Sequence, residues 1–262
     1  MTIPELSIIT VCYEAKSELL TTLNNILQQS WKHFEYLVID GDSKDGTKEL
    51  LAQYEDKFSQ NGISFRYVSE PDHGIYDAMN KGTRLATGNW LLFLNAGDLL
   101  ADDSVLWQIF NHPSPAQIVY GDTLCIYQGN KKLYPALPLE HLTYEMSFCH
   151  QSVFIRRELM LRHPYDISYK ICADHHFFLS MYLQKKIFDY RPIPISIYEI
   201  AGYSDKNKMT AHKEKQRMQK ELGVFKITLT WLLREISFYC KQFIKTAFGQ
   251  GIIDKVRKNR LR

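Results

Sequence analysis

The sequence predicts an α/β fold on a largely parallel sheet, and three observations predict it. Short β-branched or apolar runs (6–11, 36–39, 64–68 and 90–94) alternate with segments whose apolar residues recur at helical spacing. Such alternation is the pattern of right-handed βαβ units. The 262 residues, 45% hydrophobic and 23% charged, can bury a sizeable core and do not read as disordered. Finally, the polar residues able to do chemistry follow directly after strands, where open α/β sheets bind ligands.

In order, residues 6–11 (LSIITV) read as a first buried strand. Leu19, Leu23, Ile26 and Leu27 keep helical period to about Ser30, and Tyr36 to Ile39 form the second strand. Leu50, Leu51, Tyr54 and Phe58 mark the second helix, and residues 64–68 the third strand. A turn at 70–74 precedes a helix with Ile75, Ala78, Met79, Gly82 and Leu85 on its apolar side. Gly88 is expected to stop that helix by taking positive φ. The apolar run 90–94 then delivers Asn95-Ala96-Gly97-Asp98 at its carboxyl end.

Beyond Asp98 the pattern changes to a short capped helix ending near Phe110 and a strand at 118–127. A turn at Gly129-Asn130 pairs that strand with 131–134, and 135–148 reads as irregular chain. A strand at 153–155, a helix at 173–183 and an edge strand at 193–200 carrying Pro194 complete the body. The expected organisation is a domain over 1–205, with halves at 5–98 and 99–205, and a tail over 206–262.

The five cysteines are scattered without a CxxC pair, which fits a reduced, cytoplasmic protein without structural zinc. No secretory signal opens the chain and no window approaches a membrane span. Residues 212–262 carry 13 Lys/Arg against 4 Asp/Glu, whereas residues 1–211 carry 19 against 25. In the tail, Phe225, Leu229, Leu232, Ile236, Tyr239 and Phe243 stay close to one line along a helix, with Arg234, Lys241 and Lys245 near the opposite side. Two readings stand: a helix packed on the body or on a second subunit in a homo-oligomer, or an interfacial helix on an anionic membrane. Nucleic acid is disfavoured because no recognition module accompanies the basic tail.

Asp40 closes the second strand before a glycine turn, where a carboxylate can accept a hydrogen bond from a nucleotide base; capping explains it poorly. Asp42, Ser43 and Asp45 suit helix caps. Asp98 is the candidate metal ligand, because hard cations such as Mg2+ often take one or two carboxylates plus substrate phosphates. Asn95 could hydrogen-bond ribose or water, and His150 serves either the structure or a ligand. Asp174 begins a helix beside His175 and His176 and is a candidate general base. A dinucleotide-dependent dehydrogenase is disfavoured, since residues 12–16 hold no glycine for a pyrophosphate turn.

Four signatures stand in order: SIITVCYEAK, VIDGDSKDGT, SEPDHGIYDAMNKG running to ATGNWLLFLNAGD, and CHQSVFIRRE followed by ICADHHFFL. On these the chain, over roughly residues 5–205, resembles the inverting family 2 glycosyltransferases of GT-A fold. More narrowly it resembles the branch that builds bacterial O-antigen, capsule and colanic-acid-like exopolysaccharides. The resemblance implies a nucleotide-sugar pocket lined by Val11, Tyr13 and Glu14, with Asp40 reading a uridine-type base and Asp77 and Asn95 near ribose and diphosphate. It further implies Mg2+ or Mn2+ at Asp98, with His150 as a second candidate ligand, and Asp174 as the base that deprotonates the acceptor. A lipid-linked, undecaprenyl-type glycan acceptor at the cytoplasmic face of the inner membrane follows from the same resemblance. A non-catalytic GT-A scaffold remains the alternative, because NAGD holds one carboxylate where relatives hold two or three. Asp42 and His176 also depart from the family pattern.

Overall fold

The computed structural model describes residues 4–127, 130–199 and 207–227, with 232, 233, 235–237, 239 and 240 beyond them. Strands β1 (Leu6–Cys12), β2 (Phe34–Asp40), β3 (Ser64–Ser69) and β4 (Trp90–Phe93) alternate with helices α1 (Lys16–Leu27), α2 (Thr47–Gln60) and α3 (Ile75–Leu85). These four strands run parallel in the order β3-β2-β1-β4. Every residue of β1, β2 and β4 is buried, as apolar strands covered on both faces must be. Leu19, Leu23 and Ile26 of α1 join Leu50, Leu51, Tyr54 and Phe58 of α2 in the core.

The second half holds β5 (Leu99–Leu100), α4 (Val105–Phe110), β6 (Ile118–Tyr127) and β7 (Asn130–Tyr134), then β8 (Val153–Arg156), α5 (Arg157–Arg162), α6 (Ala173–Leu183), β9 (Phe188–Glu199) and α7 (Lys208–Glu221). Single 3-10 turns lie at Leu139–Thr143 and His150–Ser152. Here the sheet becomes mixed: β8 is antiparallel to β4 and β6, whereas β9 runs parallel to β6. The predicted class, a parallel half joined to a mixed half, is the class observed. The chain divides into two compact units, Met1–Met218 and Gln219–Arg262.

Three local expectations change. The last strand is not an edge strand beginning near residue 193, because it starts at Phe188 and lies between β6 and the two-residue β5. Pro194 fits there because the register slips, Gly121 facing Arg191 and Asp122 facing Pro194, and a bulge tolerates a missing donor. Helix α3 buries Ala78, Met79 and Gly82 as expected, whereas Ile75 and Leu85 are exposed and Tyr76, Asn80 and Thr83 turn inward.

Gly88, finally, is not among the residues of positive φ. It is needed because a Cβ there would lie 2.7 Å from the backbone of Leu6 and Ser7. Its amide donates to Ser7 Oγ at 2.9 Å, and Ser7 in turn donates to the buried Glu35 carboxylate at 2.6 Å. Arg66 meets the other Glu35 oxygen at 2.8 Å. Burial pushes the Glu35 pKa up, but hydrogen bonds from Ser7, Thr87 and Arg66 more than offset it and hold the group below its ordinary value.

In the second unit, the described residues between 232 and 240 are helical, and Leu232, Leu233, Ile236 and Tyr239 are exposed. Leu229, Phe243, Arg234, Lys241, Lys245 and the basic segment 254–262 lie outside the described residues. Among the described residues no helix is long and apolar enough to cross a membrane. Gly88→Ala forces two strands apart and should cost about 1–3 kcal/mol of stability, read as a lower urea midpoint at unchanged slope.

Candidate active site

The carboxyl ends of β1, β2 and β4 present three loops, and buried polar side chains fasten them to one another. After β1, the Glu14 amide donates to Ser43 Oγ and the Lys44 amide donates to Glu14 Oε1, both at 2.8 Å. Asp45 accepts from the Lys16 amide at 2.9 Å and from Thr47, the first residue of α2, while Gly46 takes the N-cap position. Asp42 sits at φ 66°, a region that favours glycine, and is held there by Lys44 and Lys48 at 2.7 and 2.6 Å. Hydrogen bonds from these lysines lower its pKa to about 2.

Asp40 is fully buried at the end of β2. Its oxygens accept from the Ser43 amide at 3.1 Å, from Ser43 Oγ at 2.5 Å and from Ser69 Oγ. Asp40 thus ties the turn after β2 to the β2–β3 junction, and its reading as a base contact stands as an expectation. Glu14 likewise stands outside the cavity described next, spending its carboxylate on Lys44.

Beside these loops lies a cavity of about 450 Å3 lined by Val11, Tyr13, Asp72, Asp77, Tyr169 and Lys170 among others. Val11, Tyr13 and Asp77 thus stand on the same hollow. Asp77 also accepts from the His73 amide at 3.0 Å, which braces the turn that begins α3. Tyr13 presents an exposed ring, 66% accessible. A larger hollow of about 1090 Å3 opens between Trp31, Phe110 and Arg156 at the amino ends of the strands. None of Asp40, Asp98 and Asp174 lines either hollow; the smaller one is the hollow that lies beside the loops at the carboxyl ends of the strands.

The tetrad after β4 is a closed turn in which every amide has a partner. Asp98 N donates to the Asn95 carbonyl at 2.9 Å, and Ala96 N to the Val11 carbonyl at 3.2 Å. Gly97 N donates to Thr22 Oγ1 at 2.9 Å, and Asn95 N to Asp98 Oδ2 at 3.2 Å. Gly97 takes φ +94°, as the third position of a type II turn requires, so a carboxylate-bearing residue would be strained there. Asp98 is 8% exposed and also meets Gln151; burial raises its pKa to about 6.

His150 joins this turn to Asp174. Its Nδ1 lies 3.4 Å from Asp174 Oδ2 and its Nε2 lies 3.2 Å from the Asn95 side-chain amide. Burial pulls the His150 pKa down, but the Asp174 hydrogen bond and the charges of Asp174 and Asp98 outweigh it, and the pKa is raised. For Asp174 burial pushes the pKa up, and the hydrogen bond and charge of His150 with the His175 amide pull it below its usual value. Asp174 Oδ1 also lies 3.1 Å from the Tyr76 hydroxyl, which donates to the Ile171 carbonyl at 2.6 Å. Tyr76 lines the cavity as well, so it connects that hollow to the Asp98–His150–Asp174 line. Sequence reasoning missed Tyr76 because the apolar spacing pointed to its neighbour Ile75.

The donors do not suit a protein-built metal site. Both ring nitrogens of His150 have protein partners, and the Asp98 carboxylate points into its own turn. Among the described residues no three His, Cys, Asp or Glu side chains converge on a point. The reading of Asp98, with His150, as ligands to a cation shared with substrate phosphates stands as an expectation. What the turn leaves open is Asn95 Oδ1, buried and without a hydrogen-bond partner. The neighbouring imidazole of His175 is structural: it is buried, lies 2.7 Å from the Leu142 carbonyl, and has its pKa lowered by burial.

Comparison with known proteins agrees with this geometry. Residues 7–188 match the model of glycosyl transferase family 2. A PGL/p-HBAD biosynthesis glycosyltransferase of Mycobacterium tuberculosis is 34% identical over 181 residues, 68% of this chain and 69% of that one. The putative teichuronic acid biosynthesis glycosyltransferase TuaG of Bacillus subtilis is 34% identical over 40% of this chain and 41% of its own. Among solved structures, TarS of S. aureus in complex with UDP superposes with a TM-score of 0.61 at 16% identity, covering 83% of this chain and 70% of that one. The mannosyltransferase PcManGT of Pyrobaculum calidifontis, in complex with GDP-Man and Mn2+, gives 0.63 at 17% identity, covering 86% and 66%. The chain belongs to glycosyltransferase family 2 and is a glycosyltransferase with a GT-A-like fold. The narrower O-antigen and capsule branch is not what the relatives' names specify.

The buried Asp98 yields a pH test. Its pKa of about 6 in the fold exceeds the value of about 3.9 for a free side chain. Between those values the folded state binds more protons, so stability falls as pH rises. Asp98→Asn cannot ionise, and its stability relative to wild type should increase from pH 4.5 to pH 7.5 in urea unfolding. An equal difference at both pH values would refute the assignment.

Proposed function

We propose that this family 2 enzyme transfers a sugar from a nucleotide-sugar donor to a hydroxyl of a glycan acceptor, with Asp174 as general base and inversion at the anomeric carbon. The observation that carries the proposal is the connection through Tyr76 between the 450 Å3 cavity and the half-buried Asp174 carboxylate. The cavity offers the Tyr13 ring as a face for a base and the Lys170 cation for a diphosphate. The mannosyltransferase PcManGT and TarS, of like fold, are seen with GDP-Man and UDP.

Asp174 is held ionised by His150, ready to accept the proton of an attacking alcohol. As that proton moves onto Asp174, the carboxylate loses the charge that paired it with His150, and the imidazole remains beside Asp98. Attack forms the new glycosidic bond while the bond from the sugar to the diphosphate breaks, and the leaving oxygen keeps the electron pair. A non-catalytic scaffold would have no use for an ionised carboxylate held by His150 and the His175 amide beside a tyrosine that lines the cavity.

The acceptor is proposed to be lipid-linked, with the basic tail at an anionic membrane surface. Supporting this are the 13 Lys/Arg against 4 Asp/Glu over 212–262 and the exposed Leu232, Leu233, Ile236 and Tyr239. Removing residues 225–262 should abolish sedimentation with vesicles containing anionic lipid while leaving neutral vesicles unaffected. Loss of a dimer on removal, with vesicle binding kept, would instead assign the tail to self-association.

Asp174→Asn should lower turnover by about 10²–10⁴ with nucleotide affinity kept within about twofold. Turnover assayed on a panel of UDP- and GDP-linked sugars, beside calorimetric binding of the released nucleotide, checks both. Retention of most activity by the variant would remove Asp174 from the base role.

A further inference from the structure

One wall of the cavity is the segment between α5 and α6, which contributes Ile167, Tyr169 and Lys170 and runs directly into Asp174. This segment has no regular secondary structure, so its amides must find partners elsewhere. Three consecutive amides are answered by one side chain on α7. Lys170 N donates to Glu214 Oε1 at 2.7 Å, and Ile171 N and Cys172 N donate to Oε2 at 2.9 and 3.0 Å. Glu214 is only 8% exposed.

Neighbouring contacts point the same way. Arg217, one turn along α7, stacks over Tyr169 with its guanidinium carbon 3.9 Å from the ring centroid, and it also reaches Ser168 Oγ. Cys172 Sγ donates to the Ala211 carbonyl at 3.5 Å. At the other end of the segment Asn80 of α3 grips Tyr165 twice, donating to its carbonyl at 2.8 Å and accepting from its amide at 2.9 Å. The Ile171 peptide is therefore fixed on both sides: its N–H meets Glu214 and its carbonyl receives the Tyr76 hydroxyl beside Asp174.

We propose that Glu214 is a positioning residue for the transfer reaction, latching residues 170–172 so that the nucleotide-facing wall and Asp174 are set before substrate arrives. Glu214 touches neither the reacting groups nor the cavity; it acts through three backbone amides. A carboxylate is required because all three partners are donors and only an acceptor-only group can answer them together. In glutamine one of the two positions carries an NH2 that opposes an N–H. The role in catalysis rests on the nucleotide-sugar reading above, but the latch itself does not.

The test compares Glu214→Gln with Met218→Ala, which cuts a buried side chain of α7 and leaves the carboxylate in place. Hydrogen exchange of the full chain should show amides 170–172 protected in wild type and in Met218→Ala, and exchanging at least about tenfold faster in Glu214→Gln. Calorimetry with UDP and with GDP should show about tenfold weaker binding for Glu214→Gln than for Met218→Ala, with Glu214→Asp in between. Protection unchanged in Glu214→Gln overturns the latch. Lost protection with unchanged nucleotide affinity overturns the positioning role. If wild type binds neither nucleotide, the donor reading fails and the exchange result still decides the latch.

Discussion

Glu35, Asp40, Asp98, Asp174 and Glu214 are carboxylates largely withdrawn from water, and each has to be answered by hydrogen-bond donors from the chain. A charge left unanswered in such a place costs several kcal/mol, so the donors cannot drift away while the fold persists. The loops at the carboxyl ends of the strands are built on this demand. Asp40 gathers the residues after β2, Asp98 closes the turn after β4, and Glu214 collects the segment before α6. Loops are ordinarily the mobile part of an α/β fold. Here buried acceptors anchor them at defined points, and a cavity wall made of loop can keep its shape.

The same view separates the carboxylates that hold the site from the one placed to react in it. Asp40 and Glu214 face backbone amides, hydroxyls and the Cys12 thiol, with no basic side chain hydrogen-bonded to them among the described residues. Asp174 faces an imidazole whose own pKa is raised by the contact, and lies beside a tyrosine hydroxyl that borders the cavity. An ion pair with an imidazole can respond to a proton transfer; a set of amides cannot.

Much of the architecture was legible because the signals were local. Apolar runs at 6–11, 36–39 and 90–94 and the helical spacing between them fix the parallel half. The misreadings occur where tertiary geometry decides. Tyr76 and Ile75 differ by one position on α3, and only the packed helix tells which faces inward. Gly88 was read for its conformational freedom, whereas the approach of Leu6 and Ser7, some 80 residues away in sequence, is what demands it. Asp40 caps no helix, as the sequence suggests, but its partners Ser43 and Ser69 come from a turn and a third strand that no spacing rule joins. Glu214 lies 40 residues beyond Asp174, in a polar helix without a motif, and nothing local marks it.

The tetrad NAGD then takes on a different sense from that of a carboxylate cluster with members missing. Its third position needs a residue at φ +94°, and its fourth must return an oxygen to the amide of the first. Glycine and aspartate meet those two demands, so the pair is accounted for by turn geometry before any ligand is considered. Asparagine at the first position is the part geometry leaves over. Its side-chain amide faces His150 Nε2 at 3.2 Å. It stands on the line from Asp98 through His150 to Asp174, so the tetrad contributes to the site through Asn95, the member with no carboxylate.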